Sequence, residues 1–183
     1  MRQKVENGGE YLLITPGNYG AAYLKEHMDL PFEESMKCSN YIGETLDMAL
    51  DMGVKGILFV SHIGKFVKVA GGIMNTHSRC ADSRAELLAA NAIRAGISLE
   101  GAREILDTIT TDEALAVIQR EDLLEPVMGE LTKRILYYMN HRTYDRMLLG
   151  AVIFSNEYGY LGQTEHTEEL IRLLQKQYKK PSV

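Results

Sequence analysis

Apolar residues along this chain fall into short runs and helical stripes that alternate. Tyr11-Leu-Leu-Ile-Thr15 is a brief apolar run stopped by Pro16-Gly17-Asn18, so its length and punctuation predict a strand. Ala21, Ala22, Leu24 and Met28 then recur at helical spacing, with Asn18 where an N-cap would stand and Pro31 closing the segment. Ser35-Met-Lys-Cys38 reads as a second short strand. Ile42, Leu46, Ala49 and Leu50 form the next helical stripe, ended by Gly53 as a C-cap. Gly56-Ile-Leu-Phe-Val60 is the clearest buried strand, four large apolar residues between a glycine and Ser61-His62.

The middle reads as helical. Ile63, Phe66, Val67 and Ala70 fit one buried face, with Lys65 and Lys68 on the other side, and Gly71-Gly72 breaks the helix. Ala81, Ala85, Leu88 and Ala92 line a helix expected from about Arg79 to Gly96. Thr110-Thr-Asp-Glu113 has capping-box spacing and opens another, and Met128, Leu131, Ile135 and Tyr138 form a third stripe that starts near Pro126. Leu148–Phe154 reads as a last strand, 156–162 as its loop, Glu165–Tyr178 as a closing helix and Lys179–Val183 as a frayed tail. Strands alternating with helices predict an α/β fold: a Rossmann-like, open, mostly parallel sheet with helices on both faces. With no repeat, low-complexity tract or linker, residues 1–183 read as one α/β domain.

Composition narrows the function classes. A hydrophobic fraction of 45% with 25% charged residues suits a globular core, and no apolar run approaches the ~20 residues that span a bilayer. No membrane association is expected. Cys38 and Cys80 stand far apart in no paired spacing, as in a reducing cytoplasm. A net charge of −5 argues against nucleic acid as a partner. The charge is uneven, however. His62 to Arg84 holds Lys65, Lys68, Arg79 and Arg84 against Asp82, a local +3, so the remainder carries −5 − 3 = −8. With His62 and His77 this stretch reads as an anion site, and a solvated helix face is the competing reading.

Open parallel sheets bind ligands beyond the carboxyl ends of their strands. Three such loops are polar or glycine-rich: Thr15–Gly20, Ser61–Lys65 and Ser155–Gly162. In the first, Pro16-Gly17-Asn18-Tyr19-Gly20 lacks the dinucleotide glycine spacing, so a bare tight turn competes with a ligand loop. Ile63-Gly-Lys65 is no phosphate loop, because Phe59 and Phe66 occupy the positions of the first glycine and of the magnesium-binding hydroxyl. His77-Ser-Arg-Cys80 offers two metal ligands without a second pair, so no protein metal site is expected. Asn75-Thr76-His77-Ser78 is denser: four hydrogen-bonding side chains beside two glycines. Helix capping by Asn75, Thr76 or Ser78 accounts for part of that density only.

The segment Gly64-Lys-Phe-Val-Lys-Val-Ala-Gly-Gly-Ile-Met-Asn-Thr-His-Ser-Arg-Cys-Ala-Asp-Ser-Arg84 resembles the signature of the cobalt-precorrin-5B C1-methyltransferases of anaerobic cobalamin biosynthesis. Thr15-Pro-Gly-Asn-Tyr-Gly20 is similar to that family's second motif, and the resemblance runs from about Glu10 onward. It implies methyl transfer from S-adenosyl-L-methionine to carbon 1 of a cobalt-containing tetrapyrrole, with cobalt arriving only inside the substrate. Family members carry a further N-terminal domain that has no counterpart here. The chain is therefore expected to be the C-terminal half, inactive alone, with that domain or a homodimer mate as its partner.

By their chemistry, Thr15, Pro16, Gly17, Asn18 and Gly20 are expected to hold the donor close to the sheet. His62, Lys65, Lys68, Asn75, Thr76, His77, Ser78, Arg79, Asp82 and Arg84 are expected to hold the substrate, the cations clamping its carboxylates. No individual catalytic residue is assigned. A tetrapyrrole- or nucleotide-binding module without catalysis is the alternative, and an ordinary doubly wound nucleotide enzyme is disfavoured by the missing fingerprint.

Overall fold

A computed structural model describes residues 1–179, so the tail expected over Lys179–Val183 lies, apart from Lys179, outside the described residues. A short helix α1 (Arg2–Glu6) precedes β1 (Tyr11–Thr15), α2 (Asn18–His27), a single 3-10 turn (Phe32–Glu34), β2 (Met36–Lys37) and α3 (Ile42–Asp51). Then come β3 (Gly56–His62), α4 (Ile63–Val69), α5 (Arg84–Arg94), α6 (Leu99–Leu106), α7 (Thr111–Arg120) and α8 (Leu124–Thr143). The chain closes with β4 (Leu148–Ser155), β5 (Gly159–Gln163) and α9 (Thr167–Tyr178).

The strands form one sheet in the order β2-β1-β3-β4-β5. β1, β2, β3 and β4 are mutually parallel, and β5 returns antiparallel along β4. Side chains alternate across a strand, so each central strand feeds two cores. Leu12, Ile14, Ile57, Phe59, Leu149, Ala151 and Ile153 pack beneath α3 to α8. Leu13, Leu58, Val60, Val152 and Phe154 pack on Leu24 of α2 and on Leu170 and Leu174 of α9. A strand buried on both faces must be apolar at every position, which is why Gly56–Val60 is so legible.

The structure departs from the sequence reading in the elements themselves at several places. The stretch 156–162 is not a loop: a tight turn follows Ser155 and β5 begins at Gly159. Helix α5 starts at Arg84, not near Arg79, and the segment before it is a non-helical turn whose Thr76 and Ala81 carbonyls accept from the Lys68 ammonium. Lys68 lies on the buried side of α4, only 3% exposed, rather than facing out with Lys65. Helix α6 was not expected, since its buried face is the small set Gly101, Ala102 and Ile105; Ser98 caps it by accepting from the Gly101 N–H. The capping box at Thr110 and Glu113 is formed in both directions. Pro126 sits in the first turn of α8, where no intrahelical N–H is needed.

Candidate functional site

From β1 the chain runs to β2 at one edge and then crosses back to β3, so the connections diverge between β1 and β3. That point, beyond the carboxyl ends of the two strands, is where such sheets bind ligands. Gly17 opens the crevice with a φ of 88°, a left-handed conformation that disfavours a side chain. Helix α2 begins at the next residue, and among the described residues no side chain caps its first turn. Asn18 is not the expected cap: its Oδ1 accepts from Lys37 Nζ at 2.8 Å. The Thr15 hydroxyl at the end of β1 is fully buried and has no hydrogen-bond partner among the described residues. Gly20, buried in the first turn of α2, rides directly on Thr15 and on the Val60 carbonyl.

At the end of β3, His62 faces the same crevice edge, paired in register with Phe154. Its ring lies 5.8 Å from that of Tyr19 and 5.6 Å from that of Phe154. The Gly64 N–H donates to Nδ1 at 3.1 Å, so the neutral ring carries its proton on Nε2. Burial pushes the His62 pKa down, and the charge of Asp112 opposes the shift in part. Above pH ~6.5 the ring is neutral folded and unfolded alike. As pH falls through that value the unfolded chain takes up the proton first, so stability should decline until the folded ring also protonates. Denaturant midpoints at several pH values should show that slope, and His62→Gln should flatten it. An unchanged slope in the variant would assign the acid sensitivity elsewhere.

Asp112 accepts from Ser155 Oγ at 2.8 Å, and Ser155 Oγ in turn accepts the N–H groups of Glu157 and Tyr158. The ends of β1, β3 and β4 therefore share one edge. Lys65 lies between the first two: its Cε is 3.3 Å from where a Cβ on Gly17 would stand, and its Nζ donates to Asn40 Oδ1. Burial lowers the Lys65 pKa; the Cys38 thiol opposes that shift and the Lys68 charge adds to it. Cys38 itself is pushed up to about 11, chiefly by burial. Asn40 also accepts from Thr76, through Oδ1 from the hydroxyl at 3.2 Å and through its carbonyl from the N–H at 2.9 Å. An antiparallel bridge between Tyr41 and Asn75 completes this clip.

Beyond the clip, Asn75 Oδ1 accepts the His77 N–H and His77 Nδ1 accepts the Arg79 N–H, both at 3.1 Å. His77 thus keeps its neutral-state proton on Nε2, and His77, Ser78, Arg79 and Cys80 are all exposed. Neither Asn75 nor Ser78 caps the next helix, since Ser83 holds the N-cap position of α5 without a side-chain bond. Lys68 supports the turn from beneath, donating to Ala81 O at 2.7 Å and Thr76 O at 3.2 Å, with Asp82 at 3.9 Å. Asp82 is in turn bound by both arms of Arg84.

The expected residues therefore divide. Thr15, Pro16, Gly17, Asn18, Gly20, His62 and Lys65 stand at the carboxyl ends of β1 and β3, and Asn40 links Lys65 to Thr76 and the His77–Arg79 turn. Lys68, Asp82 and Arg84 satisfy one another and the turn's backbone. Tyr19 and Ser155 lie within the strand-end loops expected to meet a ligand, though without roles of their own, whereas Asn40 and Asp112 lie outside every segment that the sequence offers as a site. Asn40 follows β2, so the strand-end rule applied to that short strand was the signal that could have found it.

The family model described as CbiD, C-terminal domain, matches residues 75–165. A cobalt-precorrin-5B C(1)-methyltransferase of Ruminiclostridium cellulolyticum is 40% identical over 153 residues, covering 84% of this chain and 40% of the relative. Its namesake in Clostridioides difficile is 33% identical over 94% of the chain and 43% of the relative. That of Methanocaldococcus jannaschii is 37% identical over 74% of the chain and 38% of the relative. The chain thus spans about two fifths of the length of these relatives. Among the described residues no helix is long and apolar enough to cross a membrane, and no three His, Cys, Asp or Glu gather as a metal set.

Proposed function

This chain belongs to the cobalt-precorrin-5B C(1)-methyltransferase family, matching it in the C-terminal domain, and on that premise we propose that it serves the methylation of carbon 1 of cobalt-precorrin-5B. The donor is S-adenosyl-L-methionine, bound in the β1/β3 crevice. One observation carries this reading: at the switch point of the sheet, a side-chain-free Gly17, an uncapped α2 and an orphan Thr15 hydroxyl stand together. A buried hydroxyl without a partner costs about 1–3 kcal/mol, which a ligand acceptor would offset. The helix amino end and Lys65 both favour an anionic group such as a carboxylate.

When bound, the donor supplies an electrophilic methyl on a sulfonium. The residues around it orient and exclude water, and orientation alone can lower such a barrier by roughly 7–11 kcal/mol. The exposed Nε2–H of His77 and the Arg79 guanidinium are suited to the acetate and propionate groups of the macrocycle, which supplies the cobalt. His62 donates from Nε2 in its neutral form. Lys68, Asp82 and Arg84 act by holding the turn. Since this chain spans only about two fifths of these relatives, turnover is proposed to need further residues of the family, as a covalent or separate partner domain, or a homodimer mate. The setting is proposed to be cytoplasmic.

Calorimetric titration with S-adenosylhomocysteine tests the donor site, and silence there refutes it. His77→Ala should weaken cobalt-precorrin-5B binding about ten- to a hundredfold, the worth of one hydrogen bond to a charged group. Unchanged affinity with the fold intact would remove His77 from the clamp. The short span of the chain also admits a second reading, a tetrapyrrole-binding module without catalysis. Tetrapyrrole binding without nucleoside binding would establish it.

A further inference from the structure

We propose that Asn40 is a positioning residue: it holds the uncompensated Lys65 ammonium beside Gly17, for a ligand carboxylate, and ties the His77–Arg79 turn to the same point. The inference rests on the donor reading for its ligand, but its positioning half stands without one.

Asn40 joins three segments of the site. Its amide oxygen has two lone pairs, one taken by Lys65 Nζ and the other by the Thr76 hydroxyl. Its backbone carbonyl takes the Thr76 N–H. Thr76 is buried, so this anchor fixes the root of the turn from which His77 and Arg79 project. The Lys65 stem passes against Gly17, so the ammonium and the turn are set relative to the crevice through a single side chain.

The type of acceptor matters as much as its place. Lys65 makes no ion pair among the described residues; its one hydrogen bond goes to a neutral amide. An amide orients the cation without cancelling its charge, whereas a carboxylate in its place would do both. Two of the ammonium's three donors have no partner among the described residues and can serve an anionic group. The Asn40 Nδ2 donors also have no partner among the described residues, so they can serve the same group.

Two variants separate geometry from charge. Asn40→Ala removes the acceptor, while Asn40→Asp keeps the acceptor and neutralises Lys65. Each is examined by amide exchange in the His77–Arg79 turn and by titration with S-adenosylhomocysteine. A second titration uses 5′-methylthioadenosine, which lacks the amino-acid carboxylate. In Asn40→Ala, exchange in the turn should rise about tenfold and S-adenosylhomocysteine affinity should fall about tenfold. In Asn40→Asp the turn should stay protected, S-adenosylhomocysteine should again lose about tenfold, and methylthioadenosine should bind as it does to the unaltered chain. Unchanged exchange in Asn40→Ala overturns the positioning role. Full S-adenosylhomocysteine affinity in Asn40→Asp overturns the charge argument. Should the unaltered chain bind neither nucleoside, the donor reading and the carboxylate ligand fail together, and exchange in Asn40→Ala still decides whether Asn40 holds the turn.

Discussion

Gly20→Ala should cost about 3 kcal/mol or more and lower the melting temperature by roughly 6–12 °C. An added Cβ would drive into the Val60 carbonyl and stand 3.0 Å from the Thr15 Cβ and 3.4 Å from its Cγ2. Val60 is held in β3 by its pairing with Val152, so the obstacle is backbone that cannot turn aside as a side chain would. The helix must lift from the junction of β1 and β3 instead. That movement would widen the crevice in which the donor is proposed to lie, so nucleoside binding should weaken in step with stability. Gly129→Ala is the control: nothing stands within 4 Å of its added Cβ, and alanine in a helix interior should stabilise by up to about 1 kcal/mol. A Gly20→Ala protein that melts with the unaltered chain would show that α2 does not depend on this close approach.

Lys68→Met should cost about 2–4 kcal/mol and release the turn between Thr76 and Asp82. Two effects oppose each other. Methionine fills much the same space and removes a buried ammonium, whose desolvation is the main cause of its lowered pKa. Against this, the carbonyls of Thr76 and Ala81 lose a charged donor, each such bond being worth roughly 1.5–3 kcal/mol. Asp82 loses a cation as well, although Arg84 still holds it through two bonds. Two lost bonds outweigh the relief of one desolvation, so the sign is destabilising. The damage should be local, with amide exchange rising over residues 76–82 while the sheet stays protected. Equal stability, with exchange in the turn unchanged, would mean that the carbonyls find other donors and that Lys68 is not their support.

How much of this was legible depends on the range of the interaction involved. Strands β1, β3 and β4 announce themselves because they are buried on both faces and must be apolar throughout. The capping box at Thr110 is equally plain, being settled within four residues of chain. Gly17 and Gly20 stand out as glycines after a strand, and the dense polar run at Asn75–Ser78 is conspicuous before any neighbour is known. Other features lie outside that reach. Strand β5 is half exposed and mixes Tyr160 with three glycine or glutamine positions, so its pairing with β4 decides that it is a strand at all. Sequence spacing places Lys68 beside Lys65, yet one is buried under a turn and the other borders the crevice. The difference is set by where residues 76 and 81 return to α4, which periodicity does not contain.

By itself, then, the sequence determined the α/β class, the buried strands, the glycine-bearing loop after β1 and the polar signature that marks the family. Each of these is a local requirement on residue type, imposed by burial or by backbone conformation. Only the tertiary structure decided that Asn40 joins Lys65 to Thr76, that Lys68 serves the turn, and that Asp112 and Ser155 stand beside His62. Those are meetings between residues separated by 8 to 93 positions in the chain. They follow from which strand ends the sheet brings side by side, and hydrogen-bond partners at that distance leave no periodic mark on the chain.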